Sequence, residues 1–357
     1  MTPANSMSVR FLINMSTHHN PGSFRLGTAF KELAGSRILL TGGTGFVGKW
    51  LLQTAKDAQT NSLNQVKIVV PTRQLSAPHV QSAMQIGCPN VSWIEGDFLE
   101  EQIDIGKVDM IIHAATPASA KLNAENPSEM LRVNIAAMES VLRLAENNTP
   151  LLFTSSGAVY GTQPESMTHI PERSIDPIPP KDQLNAYAQG KQAAERMCRE
   201  AGIEGRCNPI IARLFAFGGE YLPLETHFAI GNFVQNALDR KPIIVRGDER
   251  TRRSYLYGAD MATWLWSALA YGGVDKPFHI GSENSISILE LAQAVAKASN
   301  QTLNFFPKIK VAQQVDLAET VHQYVPANSD TREVLQVSEW TSLEDTINAM
   351  LLNGSID

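Results

Sequence analysis

A glycine-rich stretch, TGGTGFVG, constrains the fold of this chain more than any other feature. It follows the apolar run RILL and precedes a helical pattern, with glycines at positions 42, 45 and 48. Such glycines permit a tight turn, and the first turn of the following helix offers N–H groups and a partial positive charge to a phosphate. This order predicts a dinucleotide-binding turn, whose contacting residues are Gly42, Thr44, Gly45, Phe46, Val47 and Gly48.

The pattern downstream of Arg37 alternates short β-rich runs with helical stretches as far as PIIARLF. Repeated β-α-β units predict an α/β fold, a Rossmann-type doubly wound parallel sheet with helices on both faces. After Phe217 the rhythm loosens, which indicates a smaller C-terminal α/β lobe for the substrate. We therefore expect an N-terminal extension of unknown role over residues 1–35, a Rossmann domain with the catalytic residues over 36–216, and the lobe over 217–357.

Composition argues against several classes of function. The net charge of −6 provides no basic field for nucleic acid, and no run approaches the roughly 20 apolar residues that span a bilayer. The first 35 residues lack the features of a signal peptide. Cys88, Cys198 and Cys207 are widely spaced without a CxxC pair, so neither a disulfide framework nor a metal site is expected. We predict a cytoplasmic protein that neither binds nucleic acid nor inserts into membranes.

The end of the second predicted strand bears on the choice of cofactor. Where NAD enzymes place an acid for the ribose 2′-hydroxyl, this sequence reads VVPTR and offers Arg73. A guanidinium suits a 2′-phosphate, so NADP(H) is favoured, with NAD(H) as the alternative if Arg73 is only a surface residue. Further cofactor contacts are expected where the third and fourth strands end, and these residues are Asp97, Phe98, His113, Ala114 and Ala115.

Tyr187 and Lys191, in NAYAQGK, lie four residues apart on a predicted helix and project from the same face. The Lys191 cation is expected to lower the pKa of the phenol, which is ordinarily about 10, and to hold the nicotinamide ribose. Ser156, at the end of LLFTSS, is the candidate donor to the reacting oxygen. Asn134, a polar residue in an apolar helix, is expected to brace the site through water. Each signal also arises by chance, so the assignment depends on all of them together.

The predicted helix Glu129–Asn147 carries apolar residues nearly all round. A helix of this kind is buried on every side. One side can face the sheet, and the other side either contacts a second copy of the chain or is covered by the chain's own C-terminal lobe. We favour the first interpretation and predict a homodimer.

Taken together, these residues resemble the extended short-chain dehydrogenase/reductase family, and within it the nucleotide-sugar epimerase and dehydratase branch. The resemblance covers about Arg37 to Leu351 and includes the signature SSGAVYG. It implies an NAD(P)-dependent oxidoreductase or epimerase that acts on a sugar carried by a nucleoside diphosphate. It also implies, by position, that Ser156, Tyr187 and Lys191 are catalytic.

The resemblance implies a set of substrate-binding residues as well. Arg253, in RSYLYGAD, occupies the position at which the family's arginine binds the diphosphate, and this role also accounts for the nearby Arg250 and Arg252. Asn232, in IGNF, falls where relatives contact the nucleotide. The implied substrate-binding residues are Ser119, Ser156, Asn232 and Arg253.

Two departures from the family pattern bear on the reaction. The 4,6-dehydratases of the branch place an acidic pair after the catalytic hydroxyl residue, whereas this chain has Gly157 and Ala158. Arg73 suits NADPH, which a reductase exchanges in each cycle. We therefore predict hydride transfer at carbon 4, by a 4-ketoreductase or a 4-epimerase. The alternatives are a dehydratase that takes its acid and base from elsewhere, such as Glu165 or Glu172, and a non-catalytic NADP-sensing module.

Overall fold

A computed structural model of the chain describes residues 21–60, 65–99, 103–116, 120–172, 184–224, 228–273, 276–312 and 321–354. The strands, numbered along the chain, are β1 (Arg37–Thr41), β2 (Lys67–Thr72), β3 (Val91–Glu95), β4 (Met110–His113), β5 (Thr149–Ser156), β6 (Cys207–Leu214), β7 (Phe217–Gly218), β8 (Ile243–Val245), β9 (Arg252–Arg253), β10 (Leu256–Tyr257), β11 (Phe278–Ile280), β12 (Ile286–Ser287), β13 (Ile309–Val311) and β14 (Gln323–Tyr324). The helices are α1 (Pro21–Glu32), α2 (Phe46–Gln59), α3 (Pro78–Gln85), α4 (Ala120–Glu125), α5 (Pro127–Leu142), α6 (Ala186–Ile203), α7 (Ala229–Leu238), α8 (Gly258–Tyr271), α9 (Ile288–Leu303), α10 (Ser329–Leu335) and α11 (Leu343–Asn353).

The largest sheet has seven parallel strands in the order β11-β6-β5-β4-β1-β2-β3. The chain winds outward from β1 to β3 and then in the opposite direction from β4 to β6. The carboxyl ends of β1 and β4 therefore meet where the winding direction reverses, which is where doubly wound sheets bind ligands. This sheet confirms the predicted Rossmann-type α/β fold.

Helices cover both faces of the large sheet, because alternate residues of each strand point to opposite faces. Leu40 of β1 belongs to the apolar cluster under α2 and α8, whereas its neighbour Leu39 belongs to the cluster under α5 and α6. The first face contains the fully buried Trp264 and Trp266 of α8. Burial of both faces explains why the strands read as continuous apolar runs.

Helix α1 extends the packed layer on the face that α8 covers. Its residues Leu26 and Phe30, with Leu33 just beyond it, are buried, and the Phe30 ring meets the Trp266 ring edge-on at 5.0 Å. The described part of the N-terminal extension therefore packs on the Rossmann sheet through α8. Helix α1 begins at Pro21, within the predicted extension over residues 1–35.

The second half of the chain contributes to both regions of the molecule. Helices α7, α9 and α11 form their own apolar cluster, and β9 lies between β12 and β14 in a three-stranded sheet. The segment from α8 to β11, however, returns to the large sheet, where β11 pairs with β6. The two regions predicted from the sequence are thus interleaved along the chain. Within the described ranges, no helix combines the length and apolar character needed to cross a membrane.

Candidate active site

The glycine turn after β1 leaves the N-terminus of α2 accessible. Gly42 has φ +73°, and a Cβ there would lie 2.5 Å from the carbonyl oxygen of Ala114. A Cβ at Gly48 would collide with the carbonyl oxygen of Gly42, so the helix can approach the turn this closely only without a side chain. Gly45 is exposed and caps α2 without a side chain. The first N–H groups of α2, from Phe46 onward, can therefore face a phosphate.

Thr44, Phe46 and Val47 complete the turn and are partly buried. The Phe46 ring stacks on the Phe217 ring at 6.2 Å, so this side chain also joins α2 to the start of the C-terminal region. Whether these residues contact a cofactor stays a prediction.

The remaining predicted cofactor residues line the same edge of the sheet. Arg73 is exposed and directly follows β2, and it makes no ion pair within the described part of the chain. Asp97 follows β3, where its carboxylate accepts the N–H of Leu99 at 3.1 Å, and Phe98 meets His113 edge-on at 6.2 Å. Ala114 and Ala115 follow β4, next to the glycine turn.

His113 is fully buried at the end of β4. Its Nδ1 is hydrogen-bonded to the Thr41 hydroxyl at 2.8 Å, and its ring stacks on Phe153 at 5.5 Å. Burial, and then the nearby Lys191 charge, lower the pKa of His113 to about 3. His113 is therefore neutral at physiological pH, and its buried Nε2 has no hydrogen-bond partner among the residues that the structure describes.

Helix α6 presents Tyr187 and Lys191 to the end of β5, as predicted from their spacing. The Lys191 ammonium donates to the Thr116 hydroxyl and to the Thr154 carbonyl oxygen, the latter at 2.7 Å. It also lies 4.9 Å from the centre of the Phe153 ring and 5.8 Å from that of Tyr187. The α6 N-terminus is fixed by Asn185, whose side chain caps the helix.

The electrostatics of this pair differ from the sequence expectation. Burial raises the pKa of Tyr187 above its usual value, a hydrogen bond from Ser156 opposes this shift only in part, and the Lys191 charge is not among the causes. Burial also lowers the pKa of Lys191 to about 7, against the opposing effect of Glu195. The expectation that Lys191 depresses the Tyr187 pKa was wrong for this state, because burial disfavours the charged form of both groups.

Ser156 lies between two phenols, one of which the sequence analysis missed. Its hydroxyl accepts the Ala158 N–H at 3.2 Å and lies close enough to Tyr187, and to Tyr324 of β14, to lower the pKa of both phenols. Tyr324 lies beside Arg253, its register partner in the neighbouring strand β9, whose guanidinium carbon is 5.8 Å from the Tyr324 ring centre. The site therefore joins the end of the large sheet to the predicted diphosphate-binding arginine.

Asn134 is completely buried on α5, where its side-chain amide donates to the Met130 carbonyl oxygen at 2.9 Å. A Cβ at Gly190 of α6 would lie 2.9 Å from the Asn134 Cβ, so α5 and α6 are in close contact at Gly190, one residue before Lys191. The side-chain oxygen Oδ1 of Asn134 is buried without a hydrogen-bond partner among the described residues. Its bracing role stays a prediction. Helix α5 ends at Leu142 rather than at Asn147, and Asn147 and Asn148 take left-handed φ values of 54° and 59° in the turn before β5.

The position after Ser156 is closed to any side chain. An ideal Cβ on Gly157 would lie 2.6 Å from the Tyr324 hydroxyl and 2.6 Å from the Phe215 ring. Glu172, one of the two acids considered as substitutes, is buried and accepts the backbone N–H groups of Asp330 and Thr331 at 2.5 and 2.8 Å. Glu165 is exposed.

The three arginines of the C-terminal region have different partners. Arg250 pairs with Asp248 at 2.8 Å, and Arg252 donates to the side chain and carbonyl oxygen of Ser285. Both side chains therefore have partners within the chain, and their contact with a diphosphate stays a prediction. Arg253 is half-buried beside Tyr324 and makes no ion pair within the described ranges. Asn232 is partly buried on α7, and Ser119 lies outside the described residues.

A glycine turn on a doubly wound sheet, with Ser156, Tyr187 and Lys191 at its carboxyl edge, defines an oxidoreductase-type enzyme that uses a nicotinamide dinucleotide. The sequence model of the NAD dependent epimerase/dehydratase family matches residues 38–281, and the chain belongs to that family. The predicted resemblance to this branch is confirmed. The alternative of a non-catalytic sensing module is accordingly set aside.

Known relatives and solved structures agree with this assignment. UDP-glucuronic acid decarboxylase 3 of Arabidopsis thaliana is 28% identical over 305 residues, which are 84% of this chain and 83% of that protein. UDP-glucuronic acid 4-epimerase from Bacillus cereus, solved with UDP-glucuronic acid and NAD, superposes with a TM-score of 0.71 at 20% identity and covers 89% of this chain and 98% of that chain. RMD from Pseudomonas aeruginosa, solved with NADPH, gives 0.69 at 19% identity and the same coverage.

Proposed function

We propose that this enzyme transfers hydride at carbon 4 of a hexose carried by a nucleoside diphosphate, as a 4-ketoreductase or a 4-epimerase. The observation that carries the proposal is the position of the Ser156 hydroxyl at the carboxyl edge of the sheet, close enough to Tyr187 and Tyr324 to lower the pKa of both phenols. Arg253, beside Tyr324, is the candidate ligand of the diphosphate, because a guanidinium binds phosphate oxygens in pairs. The family supports a sugar nucleotide as the substrate.

The proposed chemistry assigns one role to each side chain. The nicotinamide, when bound, accepts hydride from carbon 4 or returns it. Tyr187 exchanges the proton of the oxygen at carbon 4, and Ser156 donates a hydrogen bond to the same oxygen. Lys191, held by Thr116 and Thr154, is placed to contact the nicotinamide ribose. Burial raises the pKa of Tyr187 and so favours its protonated form, which is the form that gives a proton to a carbonyl oxygen in the reductive direction.

NADP(H) is the proposed cofactor, with NAD(H) as the alternative. The residues present fit a dinucleotide, because the glycine turn has no side chain where the pyrophosphate would lie against α2. The exposed Arg73 follows β2 and supports binding of a 2′-phosphate. Solved neighbours with NAD and with NADPH are both known, so the family itself favours neither.

Water elimination from carbons 5 and 6 is disfavoured by the surroundings of Ser156. That reaction needs an acid and a base next to the sugar. Gly157 has no room for a side chain, Ala158 cannot titrate, and Glu172 is engaged at α10. The Tyr324 phenol and the Phe215 ring thus occupy the space beside Gly157, the position at which the 4,6-dehydratases carry an acidic residue.

A second candidate is decarboxylation of a sugar acid, which the relationship to the Arabidopsis decarboxylase favours. Oxidation at carbon 4 of a glucuronic acid places a ketone β to the carboxylate, and such an acid loses carbon dioxide without an acid to expel a hydroxyl. This candidate keeps the same roles for Tyr187 and Ser156. It belongs to the dehydratase-type side of the family.

Product analysis separates these candidates. We expect NADPH consumption at 340 nm with a 4-keto-6-deoxy sugar nucleotide, or interconversion of carbon 4 epimers of a UDP-hexose without net redox. Pentose formation from UDP-glucuronic acid would establish the second candidate instead. Steady formation of a 4-keto-6-deoxy product from UDP- or dTDP-glucose, seen by its alkaline absorbance, would contradict the proposal. Mass spectrometry of co-purifying nucleotides would identify both ligands directly.

We further propose that the enzyme is a cytoplasmic homodimer. In the single chain, Leu131, Val133 and Ile135 of α5 remain only partly buried, although α5 is apolar nearly all round. A second copy packed against α5 and α6 would cover them. The free thiols of the three cysteines suit a reducing compartment. Light scattering at low concentration should give twice the monomer mass of 39.1 kDa, and a stable monomer would contradict the proposal.

A further inference from the structure

A chain of buried polar groups lies directly beneath the proposed site and has no part in the roles assigned above. Glu195, one turn after Lys191 on α6, is 2% exposed and accepts the Ser155 hydroxyl at 2.6 Å. Arg213 of β6, also 2% exposed, donates to both oxygens of Glu195, at 2.9 and 2.7 Å. Arg199 approaches the same carboxylate at 3.3 Å. Glu195 is therefore bound to a helix, to β5 and to β6 at once.

The hydrogen bonds continue from Arg213 into the C-terminal region. Arg213 donates to the Tyr160 hydroxyl at 2.6 Å, and that hydroxyl is 2.6 Å from Nε2 of His279. Nδ1 of His279 is 2.8 Å from the Ala327 carbonyl oxygen, which can only accept, so Nδ1 carries the proton and Nε2 accepts from Tyr160. Burial lowers the pKa of His279 to about 3, which keeps this ring neutral. Ala327 lies three residues after Tyr324.

We propose that Glu195 is a positioning residue for the reaction, which fixes Ser155 and the adjoining Ser156 against the Tyr187 helix and supplies a buried negative charge that favours the ammonium form of Lys191. This inference rests on the proposed function of Lys191 and Ser156. The immediate partners of Lys191 are the neutral groups of Thr116, Thr154 and Phe153. Within the described part of the chain, its direct contacts therefore provide no compensating charge.

The titratable groups around Lys191 leave Glu195 as the source of that charge. His113 on β4 is neutral. If His113 were protonated, its positive charge would lower the pKa of nearby Lys191 rather than raise it. Tyr187, on the same helix, is kept protonated by burial. Burial opposes ionisation of Glu195, but the hydrogen bonds and charge of Arg213 hold its pKa below the usual value. Glu195 thus stays ionised one helical turn from Lys191.

Lysine labelled with ¹³C at the ε-carbon reports the protonation of Lys191 directly in the whole protein, with the signal assigned by Lys191→Arg. We expect a titration midpoint near 7 in the wild type, and a midpoint about one pH unit lower in Glu195→Gln, the size expected when a nearby opposite charge is lost. Glu200→Gln is the matched control on the same helix, because Glu200 is 61% exposed and pairs with Arg196. Its midpoint should equal that of the wild type.

An unchanged midpoint in Glu195→Gln would overturn the electrostatic part of the proposal. If that variant does not fold because Arg213 is left buried and unpaired, the double variant Glu195→Gln with Arg213→Gln removes both charges. A smaller downward shift is then expected, because the loss of the Arg213 positive charge partly offsets the loss of the nearer Glu195 negative charge. This titration needs no substrate, so its result stands even if no sugar nucleotide is converted and the proposed function fails.

Ser155→Ala tests the positioning part separately. It removes the hydroxyl that joins β5 to Glu195 but leaves every charge in place, so the Lys191 midpoint should not change. We expect turnover to fall on the order of tenfold with little change in KM, because displacement of Ser156 affects the chemical step more than substrate binding. Wild-type turnover in Ser155→Ala would refute the mechanical link between Glu195 and the strand end.

Discussion

Replacement of Glu172 by glutamine should cost stability but not catalysis. The carboxylate accepts two N–H groups at the start of α10, from Asp330 at 2.5 Å and Thr331 at 2.8 Å, in a buried setting. The ordinary capping residue of this helix, Asn328, makes no side-chain cap bond, so Glu172 caps α10 from outside. Glutamine keeps one acceptor and turns an amide NH₂ toward the other N–H group. The loss of one charge-assisted hydrogen bond predicts a destabilisation of about 2 kcal/mol.

Urea unfolding measures this change, and turnover per folded molecule should remain at the wild-type level. Glu165→Gln is the matched control, because this exposed residue of the same loop should change stability by less than about 0.5 kcal/mol. A hundredfold loss of turnover in Glu172→Gln without a change in stability would refute the reasoning. Glu172 would then be a proton-transferring group, and the dehydratase alternative would regain support.

Three further predictions concern the cofactor, the chemistry and the pH dependence. Tyr187→Phe should retain cofactor affinity but lower turnover by on the order of 10² or more, since the phenol acts only in the chemical step, and kinetics close to wild type would remove it from the mechanism. Arg73→Asp should weaken NADP(H) binding by roughly 1.5–3 kcal/mol in calorimetry and favour NAD; equal wild-type affinities for both cofactors would contradict this. Burial raises the pKa of Asp260 from 3.8 to about 7. Between these two pH values the folded state keeps a proton that the unfolded state has released. The contribution of Asp260 to the free energy of unfolding therefore falls as the pH rises from about 4 to about 7. Asp260→Asn should flatten the pH dependence of urea unfolding between pH 4 and 7, and an unaltered slope would exclude the assignment.

The elements that the sequence predicted well are those specified by local patterns. The glycine turn, the β-α-β order and the one-turn spacing of Tyr187 and Lys191 depend on neighbours a few residues apart, and the structure contains all three. The end of α5 was placed too late because Leu144 continues the apolar pattern beyond the turn, and the asparagines at 147 and 148 take left-handed φ values in the turn before β5.

The position of Tyr324 and the burial of the proposed catalytic residues Tyr187 and Lys191 could not be predicted in the same way. Tyr324 reaches Ser156 only because the short strand β14 pairs with β9 far along the chain, and the local sequence QYVPA carries no period that indicates this pairing. Spacing placed Lys191 beside Tyr187, but the sign of both pKa shifts depends on how completely the surrounding elements exclude water. That quantity is a property of the packed tertiary structure.

The return of the chain to the large sheet between α8 and β11 limits how this enzyme can be divided. A fragment that ended at residue 216 would lack the helix that carries Trp264 and Trp266, and it would expose the edge of β6 that β11 now covers. An uncovered edge and a bare apolar face both promote aggregation. The C-terminal region is therefore not an appended module. Any exchange of the proposed substrate-binding part for that of a relative requires two junctions, one on each side of the α8–β11 segment.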